Sequence, residues 1–360
     1  MSSTELPEWL KDLSADSKRQ MAWLVTEAGS DISIDKLDQH EEILAPILSG
    51  VLGAKVPEYT TVSRDATDKD TGMVLKLFKE STFIDHIFTH QVETAQRILY
   101  TSYRSRDTQP EVHIEVITSP EWPEVQSSII ESAFVVALTL PKLFPWAEVP
   151  KTTKILLIPT PVLKEFSYSG TWTSYHINTG YSDNRTVIWR RQEMLKVIIH
   201  ELMHLYSIEL SKQFYDNNKK WSKIETETTP VNNLNHDPRW NEGVTEALAV
   251  LVHSAMMCRI YNLGMKHYKL ILEFERVHVR AMAAAIYSIK PVDETKETTA
   301  VFSYFVVRSL LLDHIETFME LLAKRSYSEF IARVTEWIDK WKPGKVRQTP
   351  PFLRMTCITL

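Results

Sequence analysis

The clearest periodicity in the chain runs through Met194, Val197, Ile198, Leu202, Leu205 and Tyr206, apolar positions that recur at helical spacing. No Gly or Pro falls between Thr186 and Pro230, so the pattern predicts an unbroken helix. Before it the texture varies. Residues 1 to about 60 read as helices, with one stripe at Leu10, Leu13, Met21, Leu24 and Val25 and another at Ile43, Leu44, Ile47, Leu48, Val51 and Leu52. The polar stretch 63–72 reads as a loop, and residues 73–104 read as helical again.

At Glu111 the period changes. Val112, Ile114 and Val116 alternate with polar residues, which predicts a half-buried strand over 111–117. An apolar helix is expected over 123–140 with Pro123 near its start, then a short apolar strand over 154–161. Residues 167–180 are polar and aromatic, and 185–190 reads as a strand that leads directly into the helix of the opening pattern. Residues 214–239 are polar and read as an exposed loop long enough for a lid or an insertion. From Arg239 the pattern is almost wholly helical as far as Trp341. The expected class is α+β. It comprises a helical N-terminal region (1–105), a sheet with the motif helix (106–213), the insertion (214–239), a helical half (240–342) and a tail (343–360).

Composition narrows the function classes. A length of 360 residues suits one large or two intimate domains, and 44% apolar with 24% charged residues is ordinary for a globular chain. A net charge of −5 argues against binding nucleic acid through bulk charge. No P-loop and no G-x-G-x-x-G occurs, so nucleotide chemistry has no support. The two cysteines, Cys258 and Cys357, cannot build a disulfide framework, which points to a reducing, intracellular and cytoplasmic setting. No signal peptide is read at the N-terminus, and no apolar run approaches the ~18 residues of a membrane span. The residues Cys357-Ile-Thr-Leu360 fit a C-a-a-X box, with Lys340, Lys342, Lys345, Arg347 and Arg354 upstream. They imply a lipidation site at Cys357 and peripheral membrane contact, against a solvated tail with a free thiol.

The chemistry concentrates in the helix. His200-Glu-Leu-Met-His204 is an H-E-x-x-H motif. Residues four apart share a helix face, so both imidazoles can meet one divalent metal. Glu201 stands one residue round, where a carboxylate reaches a metal-activated water as general base. The pattern arises by chance in about one random chain in thirty, so a core helix with two satisfied histidines is the competing reading. His86 and His90 are also four apart but have no carboxylate in the motif position, and read as surface or packing histidines.

A catalytic zinc usually takes three protein ligands. Downstream, Trp240-Asn-Glu-Gly-Val-Thr-Glu-Ala-Leu248 places Glu242 and Glu246 on one helix face. One can ligate while the other accepts a hydrogen bond from a ligand imidazole. His236 and His253 are the alternative ligands. Together, His200-Glu-Leu-Met-His204 and Asn241-Glu-Gly243 resemble the gluzincins, the thermolysin and M1 aminopeptidase type of zinc metallopeptidase.

That resemblance implies a zincin-like fold, with a small mixed sheet over the active-site helix, and one Zn2+ held by His200, His204 and Glu242. It further implies Glu201 as catalytic base, Glu246 as an acidic neighbour of the ligands, and Tyr304 as donor to the oxyanion. The G-x-M-x-N signature of the M1 aminopeptidases is absent, and the insertion lengthens the gap to Glu242. In a zincin layout the exposed edge strand pairs with substrate backbone. His176, Asn178 and Gly180 are the candidates for that edge, against a simple turn around Asn178 and Gly180. Arg308, one turn beyond Tyr304, is a candidate for binding a substrate carboxylate or for anchoring Tyr304. The stretch from Ile177 through the motif also resembles uncharacterised metallopeptidases of large DNA viruses. The implied partner is a peptide or protein substrate. The rivals are a hydrolase of some other amide and a non-catalytic interaction protein on a zincin scaffold.

Overall fold

The computed structural model describes residues 13–28, 37, 40–167, 169, 171–208, 240–289, 296–297, 300–324, 327–342, 344–348 and 350–359. The expected insertion at 214–239, with His236, lies outside the described residues. The chain divides into two compact units that interleave along the sequence. One takes 1–52, 165–172 and 209–360; the other takes 53–164 and 173–208. The stretch expected as one helical N-terminal region is therefore shared between them.

The first elements are α1 (Ala15–Ala28), α2 (Glu41–Leu52), β1 (Tyr59–Asp65), α3 (Asp68–Glu80), α4 (His86–Thr94), β2 (Leu99–Ser105) and β3 (Glu111–Thr118). Next come α5 (Ser127–Leu143), β4 (Thr152–Thr160), β5 (Thr171–Trp172), α6 (Ser174–Ile177), β6 (Gly180–Ser182), β7 (Thr186–Arg190) and α7 (Met194–Leu205). The remainder is α8 (Trp240–Ile260), α9 (Met265–Ile289), β8 (Lys296–Glu297), a π-helical turn (Ser303–Val307), α10 (Arg308–Asp313), α11 (Ile315–Lys324) and α12 (Tyr327–Lys340).

The unit that carries the motif is built on a mixed six-stranded sheet in the order β1-β2-β3-β4-β7-β6. β3, β4 and β7 run parallel; β1, β2 and β6 pair antiparallel at the two sides. β4 and β7 are apolar on both faces because both faces are covered, whereas β3 alternates apolar with half-buried polar residues. Leu156, Ile158, Val187 and Trp189 pack with Val74, Phe78, Phe88 and Val92 of α3 and α4. The alternate residues Ile155, Leu157 and Ile188 are buried as well, and α5 and α7 pack together while α7 lies on β6 and β7. Burying each large aliphatic side chain contributes about 1.5–3 kcal/mol, so this two-sided core holds the sheet and the motif helix as one body.

Two sequence expectations are corrected here. The predicted loop at 63–72 and the helix at 73–104 are in fact the end of β1, the helices α3 and α4, and β2. The local signal for the start of α3 is a capping box. Thr67 and Asp70 exchange side-chain and backbone hydrogen bonds at the start of α3, with Thr67 N–H donating to Asp70 Oδ2 at 2.7 Å. Arg64 also donates to Asp70 at 2.6 Å, and its guanidinium holds that carboxyl well below the usual carboxylate range. β1 escaped notice because it is an edge strand whose side chains are mostly exposed, so it shows no apolar alternation.

The other unit is helical, with a two-stranded parallel pair of β5 and β8. Its centre is α8, where Val244, Leu248, Leu251, Val252, Ala255, Met256 and Cys258 are all buried. A helix apolar on every side belongs inside a core. The segment Asn241–Ile260 is long and apolar enough to cross a membrane by length and composition, contrary to the expectation that no run approached that length, but 89% of its most apolar 18-residue window is buried within the protein. It reads as a core helix.

The tail is also corrected. Its first part is exposed, but its end is not solvated: Leu353, Arg354, Met355, Thr356, Cys357 and Ile358 are all buried. Arg354 donates to Ser17 Oγ of α1 at 3.4 Å, and the Cys357 backbone N–H donates to Glu275 Oε1 of α9 at 3.1 Å. A thiol in this position is closed to a prenylating enzyme, so the expectation of a lipidated Cys357 finds no support in this packing.

The entry into α7 rests on a buried ion pair. Glu193, in the left-handed region at φ 62°, closes the turn from β7, and its carboxylate meets Lys164 Nζ at 2.9 Å with both side chains shielded from water. Burial pushes the Lys164 amine down to about 8, against the pull of Glu193. We predict that Lys164→Met costs about 3–5 kcal/mol in urea unfolding, because it breaks a buried ion pair by removing the cation 2.9 Å from the Glu193 carboxylate. Lys164→Met combined with Glu193→Gln should recover most of that loss; equal losses in the single and double variants would contradict the pair's role.

Candidate metal centre

α7 presents the motif as the spacing requires. His200 and His204 stand one turn apart, with His200 Nε2 and His204 Nε2 separated by 3.0 Å and the rings inclined at 78°. Two imidazole nitrogens on one tetrahedral zinc are about 3.3 Å apart, given Zn–N bonds of ~2.0–2.1 Å. The observed pair is close to that separation, so the donor set and its aim fit a metal. His200 and Glu201 are almost wholly buried and His204 is half-buried, so the pair is screened but reachable at one end.

The neighbouring strand fixes Glu201. Ser182 Oγ on β6 donates to the Glu201 carbonyl at 2.6 Å. Gly180, at the head of β6, lies so close to α7 that a Cβ there would sit 2.8 Å from Val197 Cγ1 and 3.0 Å from Glu201 Cγ. It would also lie 2.7 Å from Ile188 Cδ1 of β7. β6 is the outer strand on that side of the sheet. The edge expected over 176–180 is thus displaced. His176 sits on the short helix α6, its Nδ1 2.9 Å from Thr173 Oγ1, and the Asn178 amide donates to the Phe83 carbonyl at 3.2 Å. Of the three residues nominated for this edge, only Gly180 lies on the strand. Its requirement for glycine comes from packing against Ile188, Val197 and Glu201.

The far end of α7 is held by Tyr206. Its hydroxyl lies 2.7 Å from Thr153 Oγ1 and donates to the Ala137 carbonyl at 3.2 Å. Burial raises the phenol's pKa well above its ordinary value, so it stays a neutral donor.

In the helical unit, Glu242 is half-buried on the first turn of α8 and Glu246 is buried one turn on. The Glu246 carboxylate accepts from Arg308 at 2.9 Å. Arg308 also donates to the Met355 carbonyl at 2.5 Å and is fully buried. This corrects the expectation that Arg308 contacts substrate: its carboxylate partner is internal. Tyr304 is half-buried on the π-helical turn. Gly243 lets that turn come close, since a Cβ on it would fall 2.4 Å from Val307 Cγ1. π-bulges recur at functional sites. A glycine inside an otherwise apolar helix was the legible signal for this contact. His253, an alternative ligand, is buried on α8. His86, by contrast, is exposed beside Asp85, as a surface histidine should be.

We predict that Gly180→Ala destabilises the protein by about 1–3 kcal/mol, since Ile188, Val197 and Glu201 leave no room for a methyl group. Gly72→Ala is the control. It lies inside α3 with nothing within 4 Å of its Cβ direction, and should stabilise by about 0.5–1 kcal/mol. Urea midpoints that move alike for the two variants would contradict the close approach.

No family model, no curated protein and no solved structure matches this chain.

Proposed function

We propose that the protein is a zinc-dependent peptidase of the gluzincin type with a zincin-like arrangement of sheet and motif helix. The observation that carries this reading is the pair of imidazole Nε2 atoms 3.0 Å apart on α7, with Glu201 next to His200 on the same helix. The order of the motif and the downstream Asn241-Glu242-Gly243 adds to it.

In this reading His200, His204 and Glu242 hold one Zn2+. Bound there, zinc would supply Lewis acidity toward the attacking water and the substrate carbonyl. Glu201 accepts the proton of the attacking water at its carboxylate. It then delivers that proton to the leaving nitrogen as the carbonyl carbon–nitrogen bond breaks. A buried carboxylate suits both steps, because water does not compete for the proton. Tyr304 donates its phenolic proton in a hydrogen bond to the substrate oxygen as charge develops there. Ser182 and Gly180 are positioning residues that keep Glu201 on the side of α7 facing β6. Glu246, held by Arg308, fixes the face of α8 on which Glu242 stands.

The substrate class is peptide, read in extended form beside the edge strand β6. We predict that Glu201→Gln keeps its metal and loses hydrolysis of a mixed peptide library by about 10²–10⁴-fold, the usual worth of a general base. Hydrolysis at the parent rate in a metal-loaded Glu201→Gln protein would reject the role. A folded, zinc-loaded parent that cleaves no peptide would favour a non-catalytic protein on the same scaffold.

A further inference from the structure

A second group of ligand-type side chains lies inside the helical unit. Glu275 and His278 are three residues apart on α9, and Cys357 comes from the tail packed against it. The carboxylate oxygen, imidazole nitrogen and sulfur all lie within 4.8 Å of one another. Cys357 Sγ is 3.4 Å from Glu275 Oε1, and His278 Nδ1 is 4.0 Å from Glu275 Oε2. His278 and Cys357 are fully shielded from water and Glu275 nearly so.

His278 Nδ1 has no hydrogen-bond partner among the described residues, and neither has the buried Gln20 Oε1. The Gln20 amide nitrogen donates to Met282 Sδ at 3.7 Å. The Gln20 side-chain nitrogen faces His278 Nε2 at 3.1 Å, and an amide's oxygen and nitrogen are interchangeable by a half-turn. Turned about, Gln20 Oε1 accepts the Nε2–H proton. That tautomer leaves a lone pair on Nδ1, which lies 4.0 Å from Glu275 Oε2. A ligand histidine that gives its other ring N–H to a neighbouring acceptor is the usual outer arrangement of a metal site.

We propose that Glu275, His278 and Cys357 form a buried structural metal site, distinct from the centre on α7 and suited to zinc. Thiolate and imidazole favour zinc among the common divalent ions. A bidentate Glu275 carboxylate brings the donors to four, which closes the coordination sphere and leaves no position for substrate water. Binding releases the thiol proton to solvent. The complex of Zn2+ with one carboxylate and one thiolate is neutral. That matters because Arg308 and Arg354 place positive charge near His278 and would oppose an uncompensated cation. The carboxylate is held in place by N–H donors from Cys357 and Ile358 and by the Thr356 hydroxyl. The metal would clasp the tail to α9.

The test uses cobalt(II) as the probe metal in the full-length protein. A thiolate ligand gives cobalt(II) a charge-transfer band in the near ultraviolet. The proposal expects that band in the parent, in Cys258→Ser and in the His200→Ala/His204→Ala double variant, and its loss in Cys357→Ser. Since Cys258 and Cys357 are the only cysteines, the band in Cys258→Ser suffices even if Cys357→Ser does not fold. No band in the cobalt-loaded parent, its loss in Cys258→Ser, or its persistence in Cys357→Ser would each overturn the proposal. Because the His200→Ala/His204→Ala variant reports on this site alone, failure here is separable from failure of the peptidase reading.

Discussion

The motif helix depends above all on how closely the strand β6 lies against it. A helix of 12 residues is marginal by its own hydrogen bonds. It is held by burial of its apolar face and by contacts at three places. At its start, Glu193 turns the chain in a left-handed conformation and anchors to Lys164. Along its side, Gly180 and Ser182 bring β6 onto Val197 and Glu201. At its end, Tyr206 ties into Thr153 and Ala137. With those contacts in place, the helical repeat alone sets His200 and His204 at metal-sharing distance. The chemistry proposed for Glu201 inherits its geometry from the same packing.

The parts legible in the sequence were those with a strong period or a fixed spacing. The motif helix, the strands β3, β4 and β7, and the helical second half follow from apolar patterns that burial on one or both faces imposes. The parts that escaped are those where the stabilising contact is remote in sequence. β1 and β2 form one side of the sheet and carry mostly exposed and half-exposed side chains, respectively, so their pairing leaves little trace in hydrophobicity. The partition of residues 1–105 between two units depends on long-range packing for the same reason.

The site residues divide along similar lines. The approach of the candidate ligands His200 and His204 could be read from spacing because a helix converts a four-residue spacing directly into shared direction. Arg308 was misread, since nothing local tells a buried arginine from an exposed one; its partner Glu246 is 62 residues away. Gly180 was singled out for its place on a presumed edge, yet its need for glycine is a matter of room beside α7. The tail was misjudged because its polar residues, Arg354, Thr356 and Thr359, find internal partners in Ser17 and Glu275 rather than water.

The catalytic zinc proposed for His200, His204 and Glu242 is open to direct test. Zinc content per chain of the purified protein, measured beside His204→Ala, Glu242→Ala and Glu246→Ala, tests it most directly. The account predicts that His204→Ala and Glu242→Ala each lose one equivalent, while Glu246→Ala keeps it with weakened affinity. Zinc content unchanged by His204→Ala and Glu242→Ala would contradict the account and leave the histidines of α7 as core residues.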